Sequence, residues 1–237
     1  MSSDHSAHLE NRLLATLPQE AFASVAERLE VVTLTPREVL FETGAPLEHV
    51  YFPHSGIICL MAVMRDGVAE TAAIGSEGFA GFEVVLGGKT AVNRALVQLA
   101  GSASRIPVAA LQEKIQEWSP LQDLLLSYVR FFLIQALQSA ACNTLHTVDE
   151  RCAKWLLMAH DRAGHEDTFH LTQEFLAEML GVHRPSVTIV ARTLQNAGLI
   201  RYSRGVITIT DRKGLEEAAC DCYVVVRQAL ERILYRR

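Results

Sequence analysis

Apolar side chains change their spacing along the chain twice, and these changes divide the sequence into three regions. Up to about residue 30 they recur at helical intervals, with Pro18 interrupting the run. Between residues 31 and 107 they fall into short runs rich in β-branched residues, most of them separated by Gly or Pro. Short strands at such close spacing predict a small antiparallel barrel or jelly roll. Beyond residue 107 the helical period returns, so the predicted fold class is α+β.

The predicted jelly roll consists of short strands, and a helix is predicted over residues 108–118, where the β pattern stops. The strands are predicted at residues 31–34, 39–42, 49–52, 57–63, 70–74, 94–99 and 103–107.

One long helix is predicted from Ser119 to about Asn143. Ser119 is a good N-cap and Pro120 suits the first helical position. The broad apolar face of this helix must be buried, and a second copy of the helix is an economical partner. The alternative is that the face simply covers the barrel. The residues assigned to a dimer interface are Leu121, Leu124, Leu125, Tyr128, Phe131 and Phe132. Polar residues such as Gln135 argue against a membrane span, so no membrane partner is predicted.

The spacing within residues 171–210 predicts a helix-turn-helix followed by a wing. Thr172 is placed to cap a first helix, and Gly181 permits the left-handed backbone of a short turn. Pro185 falls in the first turn of a second helix, where a missing N–H is harmless. Strands at 199–202 and 206–210 flank Arg204 and form the predicted β-hairpin wing. The apolar residues that would fill the wedge between the two helices are Leu176, Leu180, Val182, Val187 and Val190.

Charge separates the same regions of the chain. The 237 residues carry 22 Lys and Arg against 27 Asp and Glu, a net charge of −5, which argues against a protein that coats nucleic acid over its whole surface. Residues 148–237 hold 13 basic against 12 acidic residues, whereas residues 1–147 hold 9 against 15. Nothing acidic lies between Glu178 and Asp211, a window that contains Arg184, Arg192, Arg201 and Arg204. Such a window favours contact with a phosphate backbone.

Taken together, these motifs resemble those of the bacterial Crp/Fnr family of transcription regulators. The resemblance covers residues 9–210 and is carried by three barrel segments as well as by the helix-turn-helix. The barrel segments are 38–44 (EVLFETG), 50–56 (VYFPHSG) and 74–81 (IGSEGFAG). The resemblance implies a cyclic-nucleotide-binding-like sensor domain over 1–118, a dimerisation helix and linker over 119–146, and a winged helix-turn-helix domain over 147–237. It implies double-stranded DNA, a second copy of the chain, RNA polymerase and an unidentified small-molecule effector as partners.

The resemblance also implies which residues meet DNA. The N-terminal residues of the second helix would enter the major groove, with Arg184 against guanine. Pro185 and Ile189 differ from the family's pattern, so the preferred half-site should differ from that of the cyclic-AMP receptor. Phosphate contacts are assigned to Thr172, Gln173, Arg201 and Arg204. The other residues assigned to the DNA-binding surface are His183, Ser186, Thr188 and Arg192.

The segment that resembles a phosphate-binding cassette departs from the family motif twice. A Gly-rich turn, an Arg and a carboxylate are needed for a cyclic nucleotide, and Gly75, Arg94 and Glu77 are assigned these roles. However, Ser76 separates Gly75 from Glu77, and Ala-Leu follows Arg94 where the family has Ser-Ala. We therefore expect no tight cyclic-AMP binding and assign no cofactor. The barrel would then sense another ligand, contact a protein or act as a dimer scaffold, and Glu77 and Arg94 would form a surface ion pair.

Other chemistries find little support in the sequence. No cysteine precedes Cys59, which excludes an N-terminal iron–sulfur site of the family's kind. A haem would need only one His as ligand, and the sequence singles out no His for that role. Cys220 and Cys222 are two apart on a predicted helix and should point to different faces, so no metal site is predicted. The cysteines are expected to be reduced, and the location cytoplasmic. No Walker loop or nucleophile elbow is present, so the chain is predicted not to be an enzyme. The alternative function is a sensor that acts through protein contacts rather than on DNA.

Overall fold

The computed structural model describes residues 3–162 and 167–234. Two short helices, α1 (Ser3–His8) and α2 (Gln19–Ala26), precede the strands. Between them, Leu13 and Leu14 are fully buried in the barrel core, and a single 3-10 turn runs from Leu14 to Thr16. The apolar residues of the first region therefore serve the barrel core.

Seven strands between residues 30 and 107 form two antiparallel sheets. One sheet has the order β1-β7-β3 and the other β2-β6-β4-β5. All the predicted strands are present, with ends within three residues of those predicted, and the jelly-roll prediction is confirmed. Their bounds are β1 Glu30–Leu34, β2 Val39–Phe41, β3 His49–Pro53, β4 Ile57–Met64, β5 Gly67–Ile74, β6 Arg94–Leu99 and β7 Gly101–Pro107.

Two helices leave the barrel with a single residue between them. The helix α3 spans Val108–Glu117 and α4 spans Ser119–Leu145, so Trp118 alone separates them. Trp118 occupies the N-cap position of α4, so the prediction that Ser119 caps the helix is wrong, although Pro120 lies in its first turn as predicted. With a rise of about 1.5 Å per residue, α4 is about 40 Å long.

The apolar face that we assigned to a dimer interface belongs to the protomer's own core. Leu121, Leu125, Tyr128 and Phe131 are buried among barrel residues, and Leu124 and Phe132 pack partly buried against the same core. The interface assignment is therefore wrong for the four buried side chains. Periodicity showed that this face must be covered, but the barrel covers it rather than a second copy of the helix. The opposite face of α4 exposes Leu126, Leu133 and Leu137.

By length and composition alone, α4 would also qualify as a membrane-spanning helix, which the sequence argument from Gln135 did not anticipate. Core helices of soluble proteins pass the same test. Here one side of the helix packs on the barrel, and the buried Gln135 side chain hydrogen-bonds within the protein. The composition of α4 therefore carries no membrane assignment.

The remaining chain forms a winged helix-turn-helix and three further helices. A third wing strand, β8, pairs with β10 in a sheet of order β8-β10-β9. The sequence patterns did not reveal β8, and the predicted end of α5 near Gly164 lies outside the described residues. The bounds are α5 Val148–Arg162, β8 Thr168–His170, α6 Gln173–Leu180, α7 Arg184–Asn196, β9 Ile200–Ser203, β10 Val206–Ile209, α8 Arg212–Ala218 and α9 Cys222–Leu234.

The C-terminal part packs closely against the barrel. The core of the helix-turn-helix continues into Ile57, Met61 and Ala73 of the barrel sheet, and α9 packs on α4. Trp155 of α5 donates its indole N–H to the Glu70 carboxylate on β5, at 3.3 Å. Burial raises the pKa of Glu70 to about 7, an effect that Trp155 only partly offsets.

Candidate nucleic-acid interface and sensor site

The turn between α6 and α7 is built as the sequence predicts. The Thr172 hydroxyl accepts a hydrogen bond from the backbone N–H of Phe175 at 3.2 Å and so caps α6. Gly181 ends α6 in the left-handed conformation with φ of 62°, which an L side chain rarely adopts. The apolar residues of the predicted wedge meet between the helices. The fully or largely buried ones are Leu176, Leu180, Val187 and Val190.

Polar and basic side chains line the exposed face of α7. Arg184 stands at the first position of the helix and Arg192 two turns further along, both exposed. Thr188, between them, donates its hydroxyl to the side-chain oxygen of Gln173 at 2.9 Å, which ties α7 to the start of α6. His183 is exposed at the N-cap position, and Ser186 is half-buried. Arg184, Thr188 and Arg192 are four residues apart and therefore share one side of α7, whereas Ser186 points away from it.

The wing carries the other two predicted contacts. Arg201 is exposed on β9, and Arg204 lies at the tip of a two-residue connection to β10. Arg204 and Gly205 both have positive φ, 51° and 77°, as a tight two-residue hairpin requires. A non-glycine residue in this conformation is uncommon, so the turn holds the Arg204 side chain at the tip at some cost in backbone energy.

In the sensor cassette, the Glu77 carboxylate is bonded to a residue from another part of the chain. Its carboxylate accepts a hydrogen bond from Arg162 Nε at 2.7 Å, and both side chains are buried. Arg162 also donates to the side-chain oxygen of Gln135 at 2.9 Å, so α4, α5 and the cassette meet at one guanidinium. Burial alone would lower the pKa of Arg162, but the neighbouring Glu77 carboxylate outweighs it and raises that pKa.

The rest of the cassette is closed by protein side chains. Any side chain at Gly78 would collide with the Tyr128 hydroxyl, so Tyr128 covers the backbone there. The cavity beside Glu77 and Arg162 has a volume of about 40 Å³, room for water, and its other walls come from Arg12 and from residues of α5 and α9. Arg94 pairs with Glu42 at 2.7 Å on the surface. The expectation of a Glu77–Arg94 surface pair is therefore wrong, because each has a different partner.

Sequence reasoning missed the two residues that hold Glu77, and it misjudged the cysteines. Arg162 and Gln135 lie far from Glu77 along the chain, and no local motif marks them. Cys220 precedes α9 and Cys222 begins it, so the two thiols are not two apart within one helix as predicted. They come together with Cys142 and His146, which are four residues apart, but the predicted helix ended at about Asn143 and did not include His146.

Comparisons with known proteins agree with this architecture. Residues 31–117 match the sequence model of the cyclic nucleotide-binding domain, and residues 150–218 match that of the Crp-like helix-turn-helix domain. No curated protein matches the chain in sequence.

Solved structures of similar fold were also found. FixK2 from Bradyrhizobium japonicum has a TM-score of 0.67 and 16% identity, covering 81% of this chain and 98% of its own. The c-di-GMP responsive global regulator CLP from Xanthomonas campestris has a TM-score of 0.66 and 17% identity, covering 81% and 99%.

A putative transcriptional regulator of the Crp/Fnr family from Eubacterium rectale has a TM-score of 0.66 and 18% identity, covering 87% of this chain and 96% of its own. At such identities these structures are similar in fold. The two domain matches, in the order barrel and then helix-turn-helix on either side of a long helix, identify the chain as a DNA-binding transcription regulator of the Crp/Fnr family.

Proposed function

We propose that the chain acts as a homodimer, in the cytoplasm where DNA is accessible, and binds a two-fold symmetric DNA site under the control of its barrel. The observation that carries this proposal is the solvent face of α7 and the wing. Arg184, Arg192, Arg201 and Arg204 are all exposed there, within a stretch of sequence that contains no carboxylate. A surface of this kind attracts a phosphate backbone.

The proposed dimer uses the outward face of α4 rather than the face first assigned. Leu126, Leu133 and Leu137 recur at intervals of seven and four residues, and Arg130 lies between the first two on the same stripe. Apolar residues repeating every three to four positions form the seam of a coiled coil. A parallel pair of α4 helices would carry two α7 helices to one side, with half-sites about 34–36 Å apart.

Arg184 is the proposed base-reading residue. It stands at the N-terminal end of α7, the end that enters the major groove in helix-turn-helix proteins. A guanidinium can donate to both O6 and N7 of guanine. Pro185 cannot accept a hydrogen bond from cytosine, and the exposed Ile189 can touch only a thymine methyl group. These two residues give the half-site a preference of its own.

Phosphate contacts are proposed for Thr172, Gln173, Arg201 and Arg204, which would position α7 without reading sequence. Gln173 is bonded to Thr188, so it also fixes the exposed side of α7 against α6. His183, Ser186 and Arg192 complete the proposed surface.

Replacing Arg184 with alanine should cost about 1–3 kcal/mol in binding to the preferred site and relax the preference at one base pair.

Replacing Arg204 with asparagine should weaken all duplexes by a similar factor, and it should reduce the salt slope by about one. Asparagine tolerates the positive φ of the wing tip, so the second change removes the charge and keeps the turn. Binding of the two variants to a selected site and to random duplex, measured over a range of salt concentrations, checks both expectations.

The assignment of Arg184 to a base would be overturned if Arg184→Ala weakened specific and random duplexes equally. A wild-type protein that showed no preference among genomic fragments would overturn DNA recognition as the function. The barrel would then act through protein contacts. RNA polymerase is the protein partner that we propose, whether or not the chain recognises DNA.

The closed cassette supports a barrel that does not bind cyclic AMP tightly. Glu77 is bonded to Arg162, and Tyr128 covers Gly78, so the carboxylate and the turn are both engaged. Calorimetry with cyclic AMP at micromolar concentrations should therefore show no saturable heat. Micromolar affinity that is abolished by Arg94→Ala would show instead that the cassette opens and binds the nucleotide.

A further inference from the structure

Four potential metal ligands from distant parts of the chain meet where α4 ends and α9 begins. Cys142 lies in the last turn of α4 and His146 is its C-cap residue, while Cys220 lies two residues before α9 and Cys222 begins it. One donor atom from each side chain lies within 4.8 Å of all the others. The Sγ atoms of Cys142 and Cys220 are 3.5 Å apart, and Cys222 Sγ is 3.5 Å from His146 Nδ1.

These separations match the edges of a tetrahedron around one metal ion. With Zn–S of about 2.3 Å and Zn–N of about 2.0–2.1 Å, neighbouring sulfurs lie about 3.8 Å apart, and sulfur and nitrogen about 3.6 Å apart. An iron–sulfur cluster distributes its thiolates over several iron atoms and needs them further apart. The sulfur-to-sulfur distance is also well beyond the length of a disulfide, about 2.05 Å. The donor atoms are therefore spaced for a single ion.

Local structure explains why the four side chains point to one place. His146 is the C-cap residue of α4, and its backbone N–H donates to the carbonyl oxygen of Cys142 at 3.1 Å, which keeps the two residues together at the end of the helix. Cys220 lies in the turn before α9, and its carbonyl oxygen accepts from the N–H of Tyr223 at 3.0 Å. This turn directs Cys220 and Cys222 to the same point. The three cysteines are buried together as a separate small cluster, with His146 half-buried beside them.

Two nitrogen donors lie against sulfur atoms of the cluster. Lys154 Nζ lies 3.3 Å from Cys142 Sγ, and the side-chain N–H of Gln138 donates to Cys222 Sγ at 3.2 Å. Three thiolates around a divalent ion leave one net negative charge, and the Lys154 ammonium would balance it. Donors of this kind commonly surround metal-bound ligands and tune them.

We propose that Cys142, His146, Cys220 and Cys222 form a closed, structural Cys3His zinc site that fastens α9 to the end of α4. Four protein ligands leave no open position for substrate, as in structural zinc sites. His146 lies two residues before α5, the helix that joins α4 to the DNA-reading motif. A zinc ion there would hold the junction between the long helix and the helix-turn-helix, whatever the barrel senses.

The test uses the full untagged chain, purified under reducing conditions without chelator. We expect about one zinc ion per chain by elemental analysis. After exchange with Co²⁺, thiolate-to-cobalt charge-transfer bands and the visible bands of a tetrahedral site should appear. Cys222→Ser and His146→Ala should each lower the metal content or alter the cobalt spectrum. The matched control is Cys152→Ser, which removes another buried thiol outside the cluster and should leave the spectrum unchanged.

Several results would overturn the zinc site. They are a wild-type chain that stays free of metal after loading with Zn²⁺ or Co²⁺ in reductant, a Cys142–Cys220 disulfide as the only product of the cluster, and full metal content with an unchanged cobalt spectrum in both ligand variants. The wild-type measurements decide the question even if a variant fails to fold. Alkylation of wild-type protein adds an independent reading, because zinc should protect the thiols of Cys142, Cys220 and Cys222 until a chelator is added.

Discussion

Replacing Arg162 with methionine is expected to lower the free energy of unfolding by about 3–5 kcal/mol. The physical reason is the Glu77 carboxylate, whose side chain is only 2% exposed and which would lose its cation. The carboxylate would then keep a buried charge without its cation, or it would have to take up a proton. Gln135 would lose the donor to its side-chain oxygen at the same time.

The matched control is Arg94→Met. The Arg94–Glu42 pair has the same N–O distance, 2.7 Å, as the Arg162–Glu77 pair, but its side chains are 32% and 53% exposed. Exposed pairs contribute at most about 1 kcal/mol, so chemical denaturation should separate the two variants clearly. The double variant Arg162→Met/Glu77→Leu should recover much of the lost stability, because it removes both buried charges together.

Equal costs for Arg162→Met and Arg94→Met would contradict this expectation and show that Glu77 and Arg162 are hydrated in solution. That result would mean that α5 does not stay docked on the cassette. The expected result would mean that the cassette and α5 are held together by a buried pair. An effector that competes for Glu77 would then have to release Arg162, which gives the barrel a physical route to the DNA-reading helices.

The elements that local patterns specify were predictable from the sequence. The strands of the barrel follow from runs of β-branched residues between Gly and Pro, and the turn of the DNA-binding motif follows from Thr172, Gly181 and Pro185. Each of these signals acts within a few residues of its position. The third wing strand, β8, was missed because it is only three residues long and is stabilised by pairing with β10 far along the chain.

The faces of α4 and the two buried clusters show what such reasoning leaves undetermined. Periodicity predicted one broad apolar face on α4, but not which part of the helix meets the barrel. Glu77 and Arg162 are 85 residues apart, and Cys142 and Cys220 are 78 apart. Their meeting depends on how α5 and α9 pack on the rest of the protein. The assumption that Cys220 and Cys222 share one helix failed because α9 begins only at Cys222.

Replacing Leu137 with aspartate should convert a dimer into a monomer and lower the affinity for a two-fold symmetric DNA site by a factor of about 10²–10⁴. A carboxylate in the proposed seam would face its copy across the two-fold axis and would lose hydration on association. Each half-site would then be bound separately, without the gain from linkage. Sedimentation at micromolar concentration measures the first effect, and titration of a full site against a half-site measures the second.

Met64→Asp is the matched control, because Met64 is 64% exposed at the end of β4 and Leu137 is 63% exposed on α4. It should leave both measurements unchanged. Phe131→Asp is unsuitable as a test of the interface, because Phe131 is buried against the barrel and its loss would damage the protomer itself. If Leu137→Asp sedimented as the wild-type dimer while remaining folded, the outward stripe of α4 would not be the seam. The two DNA-reading helices would then have to be brought together by another surface.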